Sequence, residues 1–380
     1  MIPCQRHRFA IPPDVAYLNC AYMSPLPRAV VEAGNAGLAR KAAPWTIAAA
    51  DFFDDGERLR ELFAGLIGAQ AGDVALTPSA SYGIAVAAAN LPLERGQNVI
   101  VLDEQFPSNM YAWRQRTRDC NAELRVLRRA ANGSWTEAVL DHIDARTAYA
   151  ALPNCHWTDG SLIDLAPVSR ALRAVGAGLV LDLSQSLGAL PIDVGEIDPD
   201  FLVCPTYKWL LGPYGFALLY AAPRHHEGRP IEHNWNSREG AEDFAGLVLY
   251  RDGYRPGARR YDVGECSNFA LVPAVLAGLE RVHGWGVPEI QATLSARTEL
   301  IASRAAEELG LRAVPAARRA GHYLGLRFAD GVPDGLLAGL AERNVFVSVR
   351  GDSMRVTPHV YNDDADVDRL FDALEALLRS

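Results

Sequence analysis

Residues Asp200–Phe216 read DFLVCPTYKWLLGPYGF. The apolar run Phe201–Cys204 has the length and composition of a buried strand, and a second β-rich run, Gly215–Tyr220, follows almost at once. The residues between them carry Gly212, Pro213 and Gly215, which mark a turn, and leave no room for the crossover helix that a parallel neighbour requires. The spacing therefore predicts that Gly215–Tyr220 runs antiparallel to Phe201–Cys204. Upstream, β-rich runs at Val74–Thr77, Asn98–Asp103, Glu123–Leu127, Ala148–Leu152 and Gly178–Leu183 alternate with helical spacing at Ala80–Leu91, Pro107–Arg118, Trp135–Ile143 and Leu165–Val175. Apolar strands separated by amphipathic helices predict an α/β domain with a mainly parallel sheet. Downstream, Arg224–Gly264 is polar and reads as a connection with some irregular structure. It contains Trp235 and a Gly/Arg-rich stretch, Gly253–Arg260. Helices at Leu271–Val282 and Glu289–Leu309, a strand at Tyr323–Phe328 and a short helix at Leu336–Arg343 come next. Strands near Val345–Val349 and Met354–Val356 and a closing helix, Ala365–Leu378, complete a smaller α+β domain. The expected division is residues 15–260 for the large domain and 261–380, joined by 1–14, for the small one.

The chain has 380 residues, enough for two domains or three, and its 49% apolar and 22% charged residues are those of a globular protein, not a disordered or fibrous one. Lys and Arg together number 37 against 46 Asp and Glu, a net charge of −9, which argues against nucleic acid as a partner. The six cysteines form no CxxC pair, so neither a zinc site nor a redox dithiol is signalled, no metal is expected, and a reducing, cytoplasmic setting is. No apolar run reaches the ~18 residues of a membrane span, and Met1–Asp14 shows no secretory signal.

Three stretches carry chemistry. Lys208 sits among apolar neighbours at the end of a strand, where a desolvated amine becomes a nucleophile able to form a Schiff base. Taken alone, a strand-end lysine with its head in solvent is the simpler reading. Asp182, in GLVLDLSQSLG (Gly178–Gly188), lies at the C-terminal end of a central strand, where open α/β sheets bind ligands. A carboxylate there suits a cation such as a pyridinium nitrogen, or it caps the following turn. In TPSASYGIAVAAANL (Thr77–Leu91), Ser79 and Ser81 open a helix whose free N–H groups suit a phosphate, or Ser79 is an ordinary N-cap.

In this order the three stretches resemble the class V aminotransferase family of fold-type-I pyridoxal-phosphate enzymes. That family includes cysteine desulfurases, selenocysteine lyases, kynureninases and isopenicillin N epimerase. YLNCAYMSPLP (Tyr17–Pro27) resembles the family's opening strand and turn, which puts Asn19 and Tyr22 on the substrate side. QFPSN (Gln105–Asn109) points to Phe106 as the residue stacked on the cofactor ring. The resemblance places Ser79, Ala80 and Ser81 at the cofactor phosphate and Asp182 at the ring nitrogen. Asn154, Gln185, Thr206 and Tyr207 are placed around the ring, with the Schiff base on Lys208. GECSNF (Gly264–Phe269) resembles a segment reaching a neighbouring subunit's phosphate, through Ser267 and Asn268. Trp235 resembles an aromatic that enters the partner's site, with interface packing as the alternative. RVTPHVYND (Arg355–Asp363) resembles the segment whose arginine, here Arg355, binds the substrate α-carboxylate. His156, Trp157 and Asp159 are candidates for the substrate side. Arg350 reads as a second anion clamp or as a solvated strand-end arginine. Gly351, Asp352 and Ser353 stand where desulfurases carry their catalytic cysteine, and Gln185 stands where kynureninases carry histidine.

What the resemblance implies is a homodimer with shared active sites, binding pyridoxal 5′-phosphate and acting at Cα of an amino acid, with Lys208 as general base. Transamination is the expected reaction. The alternatives are β-elimination or C–S lysis without a catalytic cysteine, amino-acid epimerisation, and a non-enzymatic cofactor-binding regulator.

Overall fold

The computed structural model describes residues 1–131 and 133–379. Its strands are β1 (Ala16–Tyr17), β2 (Val74–Thr77), β3 (Asn98–Leu102), β4 (Glu123–Leu127), β5 (Thr147–Leu152), β6 (Gly178–Asp182), β7 (Phe201–Pro205), β8 (Ala217–Ala221), β9 (Arg312–Ala313), β10 (Leu324–Arg327), β11 (Val345–Phe346), β12 (Ser348–Arg350) and β13 (Ser353–Val356). Its α-helices are α1 (Arg28–Arg40), α2 (Asp54–Ile67), α3 (Ala80–Asn90), α4 (Ser108–Cys120), α5 (Trp135–Leu140), α6 (Leu165–Ala174), α7 (Val194–Ile197), α8 (Leu271–Trp285), α9 (Val287–Leu309), α10 (Leu336–Ala341) and α11 (Asp364–Leu378).

Seven strands form the large sheet in the order β2-β8-β7-β6-β5-β3-β4. Strands β3 to β7 are mutually parallel, and β8 runs antiparallel to both β7 and β2. The antiparallel return expected from Asp200–Phe216 is therefore present. It is closed by Thr206, whose hydroxyl donates to the carbonyls of Pro213 (2.8 Å) and Phe216 (3.1 Å). Gly212 is needed at this turn, because a Cβ there would lie 2.8 Å from Cβ of Thr206. Strands such as β3 and β7 are buried at every position, which is why they read as unbroken apolar runs. Because β3, β5, β6 and β7 are parallel, their C-terminal ends open on one side. The loops there carry Phe106, Asn154–Trp157, Ser184–Gln185 and Thr206–Lys208.

The sequence reading assigns no helix to residues 28–67, where α1 and α2 lie. The face of α1 that packs on the segment entering α8 is made of glycines. A Cβ on Gly37 would stand 1.8 Å from the carbonyl oxygen of Phe269, so close packing replaces the apolar stripe that reveals a helix in sequence. The expected boundary between residues 260 and 261 lies just ahead of α8, and Val272, Val275 and Leu279 of α8 belong to the core of the large sheet. A second sheet, β12-β13-β10-β9, is antiparallel throughout and shares its core with Ile301 of α9, Leu340 of α10 and Leu370 of α11. The N-terminal strand β1 joins this smaller unit by pairing with β11.

One ion pair lies wholly inside the large unit. Arg60 of α2 meets Asp262 with both terminal nitrogens, one at 3.1 Å, and donates to the Val74 carbonyl. Asp262 also accepts the Leu76 N–H at 2.8 Å. Removing one partner strands the other charge in the core, whereas removing both does not. Arg60→Ala should lower unfolding stability by about 3–5 kcal/mol in urea titration. Arg60→Leu combined with Asp262→Leu should cost distinctly less.

Candidate active site

Lys208 follows β7 and lines a cleft together with Phe106, Trp157, Asp182, Ser184 and Gln185. It is 5% exposed. Its Nζ lies 5.3 Å from the ring centroid of Tyr207 and 5.6 Å from that of Phe106. Burial lowers its pKa to about 8; the Asp182 carboxylate opposes the shift and Arg355 adds to it. Asp182 ends β6, where its Oδ1 accepts the backbone N–H of Ser184 (3.0 Å) and the Ser184 hydroxyl. It therefore caps the turn, as one of its two sequence readings has it, while also lining the cleft.

The wall opposite is aromatic. Phe106, 38% exposed, stands edge-on to Trp157 at 5.3 Å and 88°. The Trp157 indole donates to the Glu104 carbonyl at 2.6 Å. Gln185 lines the cleft, but its amide is already engaged. Nε2 donates to the Ala21 carbonyl (3.1 Å) and Oε1 accepts from the Trp209 indole (3.3 Å). Tyr207 offers its carbonyl to both the backbone N–H and the hydroxyl of Ser24. The Thr206 hydroxyl is spent on the turn described above. Asn154 is buried and lines a separate surface groove, not the Lys208 cleft that its neighbours Pro153 and Cys155 line, and its Oδ1 has no hydrogen-bond partner among the described residues.

At the start of α3, Ser79 caps the helix by accepting the Tyr82 N–H at 3.2 Å. Ser81 donates to the Ser108 hydroxyl at 2.9 Å, which brings the N-termini of α3 and α4 together beside Ala80. Two converging helix starts favour an anion. Of the expected cofactor residues, Phe106, Asp182, Gln185 and Lys208 line this chain's Lys208 cleft and the other nine do not. Trp235 packs with Phe52 (6.1 Å), Phe53 (6.2 Å) and Phe244 (5.5 Å). Asn268 caps α8 by accepting the N–H groups of Ala270 and Leu271, and Ser267 precedes it. His156 and Asp159 also stand off the cleft. Asp159 is buried against Arg129 (2.6 Å) and Arg327 (3.2 Å), and His156 stacks on Trp135.

Arg355 is 1% exposed, and each hydrogen bond it makes goes to a neutral oxygen. Nε and Nη2 donate to Ser348 Oγ at 2.9 and 2.7 Å, and Nη1 donates to the Trp157 carbonyl and the Tyr323 hydroxyl, both at 3.1 Å. A buried guanidinium held only by neutral groups has its charge uncompensated, which is the state of a carboxylate receptor. Ser348 in turn donates to Asn19 Oδ1 at 2.9 Å. Asn19 thus stands one step behind the expected substrate contact, positioning the serine that positions Arg355. Tyr22 is exposed on the same N-terminal segment, its N–H on the Asn19 carbonyl. Sequence reasoning misses Ser348 and Tyr323. The alternation Ser348–Val349–Arg350 opposite Arg355 is the one signal that could have pointed to Ser348.

No cysteine occupies the Arg350–Arg355 stretch. The thiol that lines the cleft, Cys155, is buried, and burial pushes its pKa well above the ordinary value, so it is a poor nucleophile. Lys208 also stands out by scarcity. Among 37 basic residues the lysines are Lys41 and Lys208. A guanidinium cannot act as an amine nucleophile, so the position could not follow the chain's general use of arginine.

Residues 16–370 match the aminotransferase class-V family. The chain belongs to that family, whose members are pyridoxal-phosphate-dependent enzymes. It is 29% identical to the uncharacterized aminotransferase YcbU of Bacillus subtilis over 84% of this chain and 83% of that one. It is 27% identical to isopenicillin N epimerase of Streptomyces clavuligerus over 98% and 97%. A solved structure of a C-DES variant, with glycine covalently linked to its PLP cofactor, superposes with a TM-score of 0.86 at 20% identity, covering 97% of this chain and 98% of that one. The α/β fold-type-I architecture is thus shared.

With its pKa near 8, the Lys208 amine of the cofactor-free protein should be acylated at a rate that rises steeply between pH 7 and 9. Mass spectrometry of its peptide, with Lys41 as the internal reference, reads this directly. Asp182→Asn removes the charge that favours the ammonium and should move the midpoint lower. A midpoint near 10 would contradict the buried geometry.

Proposed function

We propose that this enzyme binds pyridoxal 5′-phosphate at Lys208 and acts at Cα of an amino-acid substrate. The observation that carries the reading is a cleft lined by a desolvated amine and a carboxylate, with a buried arginine that has no acidic partner against the Trp157 indole of its wall and near enough to act on the amine. The residues present suit the cofactor. Lys208 would attach its aldehyde carbon covalently, and Asp182 would hold the proton on its ring nitrogen. Phe106 would cover one ring face. The paired helix starts at Ser79, Ala80 and Ser81 would take the phosphate, with Asn154, Gln185, Thr206 and Tyr207 bordering the ring. When bound, the cofactor supplies an electron sink for cleaving a bond at Cα.

Arg355 would take the α-carboxylate through the Nη2 N–H that Ser348 leaves free, a second parallel hydrogen bond requiring release of one present partner, and so set which Cα bond faces Lys208. Lys208, with a pKa close to neutral, takes the Cα proton and returns a proton. Amino transfer is the reaction we favour, supported by the relative that carries that name. Epimerisation is the second reading, favoured by the relative that matches almost end to end. The burial of Cys155, which raises its pKa, speaks against a persulfide carried on that thiol. We propose further that the enzyme works as a homodimer. Trp45, Leu38, Val248, Leu249 and Tyr250 are exposed apolar groups that a second copy would cover, and Trp235, Ser267 and Asn268 would then face a neighbour's site. The cysteines are free, as a reducing cytoplasm would keep them, and no helix among the described residues is long and apolar enough to cross a membrane.

Borohydride reduction of the yellow protein should fix the cofactor to Lys208 and not to Lys41. A protein that gains no absorbance with pyridoxal phosphate, or a label on Lys41, defeats the reading. Arg355→Lys should weaken amino-acid binding by about 1.5–3 kcal/mol while leaving cofactor capture intact. Pyridoxamine phosphate should accumulate with the right amino acid. Solvent deuterium entering Cα with no oxo acid released would select epimerisation instead.

A further inference from the structure

The β12–β13 hairpin puts two arginines on one face. Ser348 pairs with Arg355 and Arg350 pairs with Ser353. Direct partners share a face, and so do residues two apart on a strand. Ser348, Arg350, Ser353 and Arg355 therefore look the same way, with Arg350 the diagonal neighbour of Arg355, about 7–8 Å off along the sheet. The two-residue connection Gly351–Asp352 fixes this register, with Gly351 at φ 55° as such a turn requires.

Both guanidinium groups come to the same indole. The Arg350 Cζ lies 5.7 Å from the Trp157 ring centroid and that of Arg355 lies 5.8 Å from it, and Trp157 lines the Lys208 cleft. Arg350 is partly buried, and it donates from Nη1 to the Val349 carbonyl at 2.7 Å. The acids near this sheet face are engaged elsewhere: Asp159 by Arg129 and Arg327, and Asp352 by Arg327 at 3.3 Å. Among the described residues no carboxylate pairs with Arg350. Burial, and then the Arg355 charge, push its pKa below the ordinary arginine value, as expected for a cation whose neighbours do not neutralise it.

A substrate α-carboxylate taken by Arg355 leaves the second charge unanswered. We infer that Arg350 reads an anionic group at the end of the substrate side chain, so that the enzyme is specific for amino acids carrying a second anion. This inference rests on the amino-acid reading proposed above. Arg350 is then a specificity residue: it touches the distal end of the substrate and takes no part in proton transfer. A side-chain carboxylate and a side-chain sulfur oxyanion offer the same bidentate chemistry to a guanidinium.

Absorbance titrations of the holoenzyme test it, with aspartate against asparagine, glutamate against glutamine, and cysteate alongside. Each acid–amide pair has nearly the same shape and differs in charge. For the better-fitting length the acid should bind about ten- to a hundred-fold more tightly than its amide, the scale of one charge-assisted hydrogen bond. Cysteate binding tighter than aspartate would assign the sulfur oxyanion, and the reverse would assign the carboxylate. Arg350→Gln should bring the acid-to-amide ratio close to one, and Arg350→Lys should keep part of it. Equal binding within both pairs in the unaltered enzyme overturns the inference alone, as does a preference that survives Arg350→Gln. If no amino acid changes the spectrum of a protein that carries its chromophore, this inference and the reading beneath it both fall.

Discussion

The return of the chain after β7 is the constraint on which the rest depends. A parallel successor would need a helix-length crossover, and the residues between Pro205 and Ala217 cannot supply one. The chain must instead reverse at the C-terminal edge of the sheet, tied by the Thr206 hydroxyl to the far side of its own turn. That reversal carries Lys208. Its amine is thereby held near the neighbouring strand end, where β6 presents Asp182, and away from water beside the rings of Tyr207 and Phe106.

Desolvation then sets the chemistry. A lysine in water would be protonated near neutrality and unreactive; burial removes much of that preference. Asp182 works to restore it, and the Arg355 charge works against Asp182. The small sheet therefore acts on the lysine electrostatically as well as shaping the space above it. The two units of the fold meet in one charge balance: one carboxylate, one amine, and guanidinium groups that lack anions of their own.

Much of this was legible in sequence for a definite reason. Strands covered on both faces become unbroken apolar runs, so β2, β3 and β5 to β8 stand out, and the shortness of the 206–216 connection announces the antiparallel strand. α1 does not stand out, because Gly34 and Gly37 achieve contact with the α8 region by the absence of side chains. α2 does carry an apolar spacing, Leu59, Leu62, Phe63 and Ile67, and it lies within the stretch to which no element was assigned. In the site, Lys208, Asp182 and Arg355 are marked by motifs of local sequence. Ser348, Tyr323 and the true place of Asn19 are not, since residues far apart in the chain meet there only through pairing of β13 with β10 and β12 and of the N-terminal segment with β11 and Thr357. Nor does spacing reveal that Gln185 and Thr206 have their polar groups already engaged by Ala21, Trp209 and the turn.

That N-terminal segment has a mechanical side. Between Ala16 and Ser24 the backbone bonds to the small unit at Phe346 and Thr357, and to the large unit at Tyr207, while the Ala21 carbonyl holds Gln185. A stretch of nine residues is thus riveted to both halves within reach of the cleft. A jaw-like swing of one half against the other would have to break these bonds together. The entropic cost of gathering amine, carboxylate and arginine is met when the chain folds, and an incoming molecule finds the arrangement already standing.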